Sequence, residues 1–277
     1  MAELIDELYY NHNGKIMEAS DFSKSCEPTY PSVYEVLRIM NGVPLFLEEH
    51  YRRLVNSLAS IHQTIDLSLE ELRAQIIALT EACHIQNHNI KLIMYGFDKG
   101  QAEHLFLYFI PTHYPDPSMY ETGVATELLH AERKNPQAKI INQSLRDTAN
   151  AQMAAHNLFE VLLVNDRGEI TEGSRSNLFF IKGDTLYTSP AEGVLPGITL
   201  QRILRVCEEN QVPVCEAPIR VSELDTYDAA FISGTSPKVL PIRTIGELTL
   251  DVENPVLRRV MELYNAEISR YLLRSLS

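Results

Sequence analysis

The chain has 277 residues, 45% hydrophobic and 22% charged, with a formal net charge of -13. That is enough for one large domain or two ordinary ones, in the proportions of a globular protein. The acidic balance argues against nucleic acid and anionic membranes as partners, since both need clustered cations. No apolar run approaches the roughly 20 residues that cross a bilayer. The N-terminus, "MAELIDELYYNHNGKI", is acidic and mixed, unlike a leader, so no membrane segment or secretory signal is expected. Cys26, Cys83, Cys207 and Cys215 show no CxxC pairing and read as free thiols of a reducing cytoplasm. The histidines are scattered, and no protein-held metal is expected.

In chain order, "VYEVLRIMNGVPLFL" (33–47) reads as two strands around Asn41-Gly42, a strong hairpin signal. "EEHYRRLVNSLASIHQ" follows as a helix, with Leu54, Leu58 and Ile61 at helical spacing. "SLEELRAQIIALTEACHI" is a second helix, with Ser68 as N-cap and Glu71 completing a capping box. "NIKLIMYGF" and "HLFLYFIPT" are strands. Residues 1–112 thus form an α+β domain. The proline cluster of "PTHYPDPSMY" marks a linker at 113–120, and 121–277 form the second domain.

That second domain opens with the strand "GVATELLHAER" and the Ala-rich helix "SLRDTANAQMAAHN". "EVLLVNDRGEITEG" is a hairpin turning at Asn165–Gly168, and "SNLFFIKGDTLYTS" another turning at Lys182–Asp184. "TLQRILRVCEENQ" is a helix, "AAFISGTSPKVLPI" a strand–turn–strand, and "PVLRRVMELYNAEISRYLL" the closing helix. So many hairpins with three helices suggest a barrel-like sheet.

The stretch "TEGSRSNLFFIKGDTLYTSPAEGVLPGIT" (171–199) carries an acid beside a strand, then a Gly-Ile-Thr that opens a helix. A carboxylate suits a cation and a helix N-terminus suits an anion, so one ligand bearing both would explain the pair. "EGSRSNLFF", "LYTSP" and "GVLPGIT" together resemble the signature of the fold-type IV pyridoxal-phosphate enzymes, the class IV aminotransferases. These include branched-chain and D-amino-acid aminotransferases and aminodeoxychorismate lyases. The resemblance runs from about Tyr34 to the C-terminal helix and is densest over Lys139–Ile242.

The resemblance implies a fold like that of D-amino-acid aminotransferase: a smaller α+β N-terminal domain and a larger barrel-like C-terminal domain, with pyridoxal 5′-phosphate as cofactor in the cleft between them. It also implies a homodimer and a small amino acid and 2-oxo acid as substrates. Glu172 matches the acid that pairs with the cofactor's ring nitrogen, and Leu195 the residue packed on its ring. Gly197, Ile198 and Thr199 match the phosphate-binding helix start. Thr235 and Ser236 match a second turn that donates to phosphate and substrate. Arg53 matches the phosphate-binding arginine, with Arg52 facing solvent. The Schiff-base lysine stands near the end of a strand, just before an Asn and a helix; "QAKIINQSLRDTANAQ" fits, with Lys139 ahead of Asn142. Lys134, Lys182 and Lys238 lie in turns that fit less well. Tyr34 matches an aromatic of the substrate pocket.

The substrate side departs from the pattern. "YPSVYEV" replaces a Gly- and Asp-containing run, and Gln143 and Ser144 stand where branched-chain enzymes carry a Tyr. Lys238 replaces a residue that is often acidic. "LIMYGF" offers Tyr95 where D-amino-acid enzymes and lyases have an arginine. The expected reaction is amino transfer from an L-amino acid of branched-chain type to a 2-oxo acid, the carboxylate held by the Thr235–Ser236 turn and the Tyr95 hydroxyl. Aminodeoxychorismate lyase and D-amino-acid aminotransferase are the alternatives.

Overall fold

The computed structural model describes residues 4–98, 100–112, 114–133, 136–140 and 142–276. The linker residue His113 and the rival lysine Lys134 lie outside them. The chain divides into two compact units. One takes Met1–His113, Ala138–Ile141 and Arg270–Ser277; the other takes Tyr114–Gln137 and Asn142–Ser269.

In the first unit the described elements run β1 (Tyr9–His12), β2 (Lys15–Glu18), α1 (Phe22–Ser25), β3 (Val33–Met40), β4 (Val43–Pro44), α2 (Leu47–Ala59), α3 (Leu69–Ala82), β5 (Asn87–Asp98) and β6 (Gln101–Phe109). The strands form one antiparallel sheet in the order β2-β1-β6-β5-β3-β4. Asn41 and Gly42 both have positive φ (52° and 76°), the conformation that a tight two-residue hairpin demands. The second strand is shorter than its apolar run suggests. Pro44 has no N–H to continue a ladder, Phe46 is left-handed (φ 55°), and the helix begins at Leu47. That helix stops at Ala59, short of Ile61, with left-handed His62 beyond its end. The Ser68–Glu71 capping box forms in both directions. The N-terminal stretch is itself a hairpin, turning on Asn13 and Gly14.

Period-two alternation gives the sheet two different faces. Val33, Leu37, Ile39, Ile90 and Leu92 pack against α2 and α3 as an aliphatic core. The opposite face is aromatic: Tyr34, Tyr95, Phe106 and Tyr108, with Phe22 from α1.

The second unit contains α4 (Met119–Thr122), β7 (Val124–His130), α5 (Gln143–His156), β8 (Glu160–Val164), β9 (Glu169–Gly173), β10 (Asn177–Lys182), β11 (Thr185–Thr188), α6 (Ile198–Glu209), β12 (Val214–Glu216), β13 (Ile219–Arg220), β14 (Ala229–Gly234), β15 (Lys238–Ile245), β16 (Leu248–Thr249) and most of α7 (Pro255–Leu276). Its ten strands make one curled sheet in the order β12-β11-β10-β14-β15-β7-β8-β9-β13, with β16 on β15. Leu162, Leu178, Phe180, Ile232 and Leu240 fill the curl. The α+β class, two sheets and barrel-like second unit agree with the sequence reading.

Gly123 makes the entry into β7 possible. Its φ of 68° and ψ of 170° are open essentially to glycine alone. A Cβ there would lie 2.7 Å from Val252 Cγ1 and 2.9 Å from the Arg243 backbone nitrogen. Gly123→Ala should lower unfolding free energy by about 1–3 kcal/mol. Urea denaturation measures this, and a parent-like midpoint would show that the β7 entry relaxes freely.

Candidate active site

In the first unit, β3 places Tyr34 and Glu35 on opposite faces. Glu35 points to the helices and is 1% exposed. His50 and Arg53, one turn apart on α2, meet it: Arg53 Nε donates to Oε1 at 2.8 Å, Arg53 NH2 to Oε2 at 2.6 Å, and His50 Nδ1 to Oε2 at 2.7 Å. Burial pushes the Glu35 carboxyl up, but the Arg53 guanidinium and the His50 hydrogen bond outweigh it and hold it at about 2. Burial lowers His50, against the pull of Glu35 and helped by the Arg53 and Lys139 charges, so the imidazole is neutral at pH 7. Arg52 is exposed, as its position on the helix requires.

On the free edge of β3, beyond the reach of β4, Ile140 forms an antiparallel bridge with Val33. Tyr34 N donates to Lys139 O (3.2 Å), and Lys139 N donates to Ser57 Oγ of α2 (3.2 Å). Lys139 Nζ thereby stands 4.8 Å from the centre of the Tyr34 ring. A second ammonium shares that ring. Lys91 of β5, 5% exposed, lies 5.4 Å from the Tyr34 centroid and 5.8 Å from that of Tyr108. Tyr95 departs from the sequence expectation of a carboxylate donor. Its one hydroxyl proton goes to Ser25 O, and its oxygen accepts from Glu27 N, both at 3.2 Å. Burial, with Cys26 beside it, pushes that hydroxyl up to about 12.

In the second unit, Glu172 near the end of β9 is 2% exposed. Arg133 Nε lies 2.7 Å from its Oε1, and Leu195 N donates to its Oε2 at 3.2 Å. Asn177, opening β10, donates to Leu195 O at 2.9 Å and packs so closely on Gly197 that any side chain there would collide with it. Gly197 is the N-cap of α6; no side chain caps it, and the first turn carries no acid. Ile198 and Thr199 are buried, with the Tyr264 hydroxyl 3.4 Å from Thr199 Oγ1. Asn177 pairs with Ser233 of β14, so the half-buried Thr235 and Ser236, two and three residues on, belong to the same end of the sheet.

An amino-transferase class IV family model matches residues 32–245. This chain belongs to the class IV aminotransferases. It is 28% identical to the D-alanine aminotransferase of Bacillus licheniformis over 253 residues, 86% of this chain and 88% of that one. It is 30% identical to a Thermotoga maritima protein classed as a branched-chain-amino-acid aminotransferase, over 85% of each. The crystal structure of the branched-chain aminotransferase of Thermoproteus uzoniensis with norvaline superposes with a TM-score of 0.82, covering 95% of both chains at 23% identity.

Class IV aminotransferases work with pyridoxal 5′-phosphate, and the residues fit it: a buried carboxylate for a protonated ring nitrogen, an acid-free helix start for a phosphate, and an amine against a tyrosine ring. The first unit brings Tyr34, Arg53 and Lys139 together, and the second Glu172, Leu195, Gly197, Ile198 and Thr199. Sequence reasoning missed Arg133, Lys91 and Glu35. Arg133 stands in "HAERKNPQ", where nothing local signals a partner 39 residues on. Lys91 was legible, as a charge within an otherwise apolar strand. His84 and His88, four apart, fall in a turn and a strand, and His88 binds Asp6 (2.8 Å). Among the described residues, no three His, Cys, Asp or Glu side chains are grouped to hold a metal.

Glu35→Gln removes the buried charge that the Arg53 guanidinium and His50 both meet. Glu35→Gln should cost about 3–5 kcal/mol at pH 7 by urea denaturation. Glu35 has a folded value of about 2 against a usual 4.5, so its contribution is complete above pH 4.5 and fades as pH falls toward 2. The gap between parent and variant should therefore narrow only below that range; a gap that narrows between pH 7 and 5 would point to another group.

Proposed function

We propose that this class IV aminotransferase moves the amino group of an apolar, branched-chain-like L-amino acid to 2-oxoglutarate. The observation that carries the substrate reading is Lys91. Strand β5 supplies this buried cation and no arginine, and its ammonium meets the same ring as Lys139. A desolvated ammonium binds a carboxylate far better than a solvated one does. In this reading Lys91 takes the distal carboxylate of 2-oxoglutarate, and the Thr235–Ser236 turn takes the α-carboxylate. Tyr34 offers apolar surface to the other substrate's side chain.

Pyridoxal phosphate, when bound, supplies the electron sink for the substrate Cα. Lys139 Nζ is the amine that takes the cofactor and later moves the Cα proton. Glu172, oriented by Arg133 and Leu195 N, holds a proton at the ring nitrogen, and Leu195 packs on the ring. The Gly197–Thr199 amides, Thr235, Ser236 and Arg53 bind the phosphate. The family resemblance supports a homodimer, and the four free cysteines suit a reducing cytoplasm.

Lys139→Ala should abolish both turnover and the visible absorbance of bound cofactor. Continued turnover, with the cofactor trapped by reduction on a different lysine, would refute the assignment. For the substrates, the enzyme is incubated separately with L-leucine plus 2-oxoglutarate, D-alanine plus 2-oxoglutarate, and aminodeoxychorismate alone. Glutamate should form in the first. Pyruvate from the third, with no glutamate from the first, would replace this reading with the lyase. Lys91→Met should raise KM for 2-oxoglutarate about 10- to 100-fold, the worth of one charge-assisted contact, with KM for L-leucine little changed. Equal changes in both would remove Lys91 from the distal subsite.

A further inference from the structure

Glu160, the first residue of β8, is a carboxylate 4% exposed that gathers five donors. Its Oε1 accepts from Val161 N (3.0 Å), Ser174 N (3.2 Å) and Ser174 Oγ (2.6 Å). Its Oε2 accepts from Arg175 N (3.2 Å) and Ser176 Oγ (2.9 Å). Four of these donors lie in the turn that follows directly on Glu172 and Gly173. The packing there is tight: a Cβ on Gly173 would collide with Ser176 Oγ and lie 3.0 Å from Glu160 Oε2.

The same turn governs both groups that hold Glu172. Ser174 O accepts from Arg133 NH2 at 2.9 Å, which sets Arg133 Nε 2.7 Å from Glu172 Oε1. Asn177, next after Ser176, holds Leu195 O, whose own N–H reaches Glu172 Oε2. Resting on the assignment of Glu172 above, we propose that Glu160 is a positioning residue for Glu172. Its carboxylate folds the 174–176 turn, the turn aims Arg133 and Asn177, and the two oxygens of Glu172 are thereby presented to the cofactor's ring nitrogen in one orientation. The position requires a charge. A carboxylate is acceptor only, with about four lone-pair sites, whereas the amide of glutamine would set its NH2 against backbone N–H donors on one side or the other.

A role confined to holding the fold would change stability and leave the ring nitrogen alone, so the test reads that nitrogen. Parent, Glu160→Gln, Ser176→Ala and Glu172→Gln are each loaded with pyridoxal phosphate labelled with nitrogen-15 in the ring, and the resonance is followed against pH. The parent should show a protonated nitrogen. Glu160→Gln should release that proton about one pH unit lower, with kcat reduced about tenfold and KM for the amino acid unchanged. Ser176→Ala should shift the same way by less. Titrations matching the parent in both Glu160→Gln and Ser176→Ala overturn the proposal, whatever happens to stability; if Glu160→Gln fails to fold, Ser176→Ala decides alone. A parent-like titration in Glu172→Gln overturns the assignment of Glu172 and this proposal with it. A shift there without one in the other two removes Glu160 alone.

Discussion

A carboxylate taken out of water costs several kcal/mol unless donors replace its hydration. Glu35, Glu160 and Glu172 are 1%, 4% and 2% exposed, and their surroundings are arranged to meet that cost. Glu35 turns one face of α2 inward, because His50 and Arg53 must both reach it. Glu160 folds the turn after β9. Glu172 draws in Arg133, and through Leu195 N it ties the strand end to the segment leading into α6. The elements around the candidate site are placed by these demands as much as by apolar packing.

The cations follow a complementary logic. Lys139 and Lys91 share the Tyr34 ring, whose face attracts positive charge without being an acid. In the proposed reaction Lys91 meets a carboxylate of the substrate. His50, neutral beside Glu35 and Arg53, adds no charge near Lys139. The first unit thus presents amine and cation, and the second a carboxylate and an acid-free helix start. The carboxylate and helix start of the second unit suit a ligand that is cationic at its ring nitrogen and anionic at its phosphate.

Long apolar periods were legible residue by residue. The hairpins at Asn41-Gly42 and Asn165–Gly168 and the capped helix from Ser68 depend on contacts within a few residues, which a linear reading sees. The errors sit where distant or covalent constraints decide. Pro44 ends a strand that hydrophobicity alone would extend, and left-handed His62 follows a helix whose apolar spacing runs on. The hairpin at Asn13-Gly14 carries the same turn signal as Asn41-Gly42, but its strands are polar, and β1 pairs with β6 some 90 residues away. Short strands such as β12, β13 and β16 exist only because a neighbour is there to pair with.

By itself the sequence determined the family, the two-part α+β organisation, the candidate lysine and acid, and the helix start suited to a phosphate. All of these rest on local spacing and residue type, which survive in one dimension. Tertiary structure decided the rest. It set Lys139 on the edge of β3 through a bridge to Val33, gave Glu172 its Arg133 partner, and spent the Tyr95 hydroxyl on Ser25 and Glu27. It also turned Lys91 from one charge in an apolar strand into a buried cation beside Tyr34. Each of these is a pairing between residues far apart in sequence, and which donor meets which buried acceptor is settled only when the sheets bring them together.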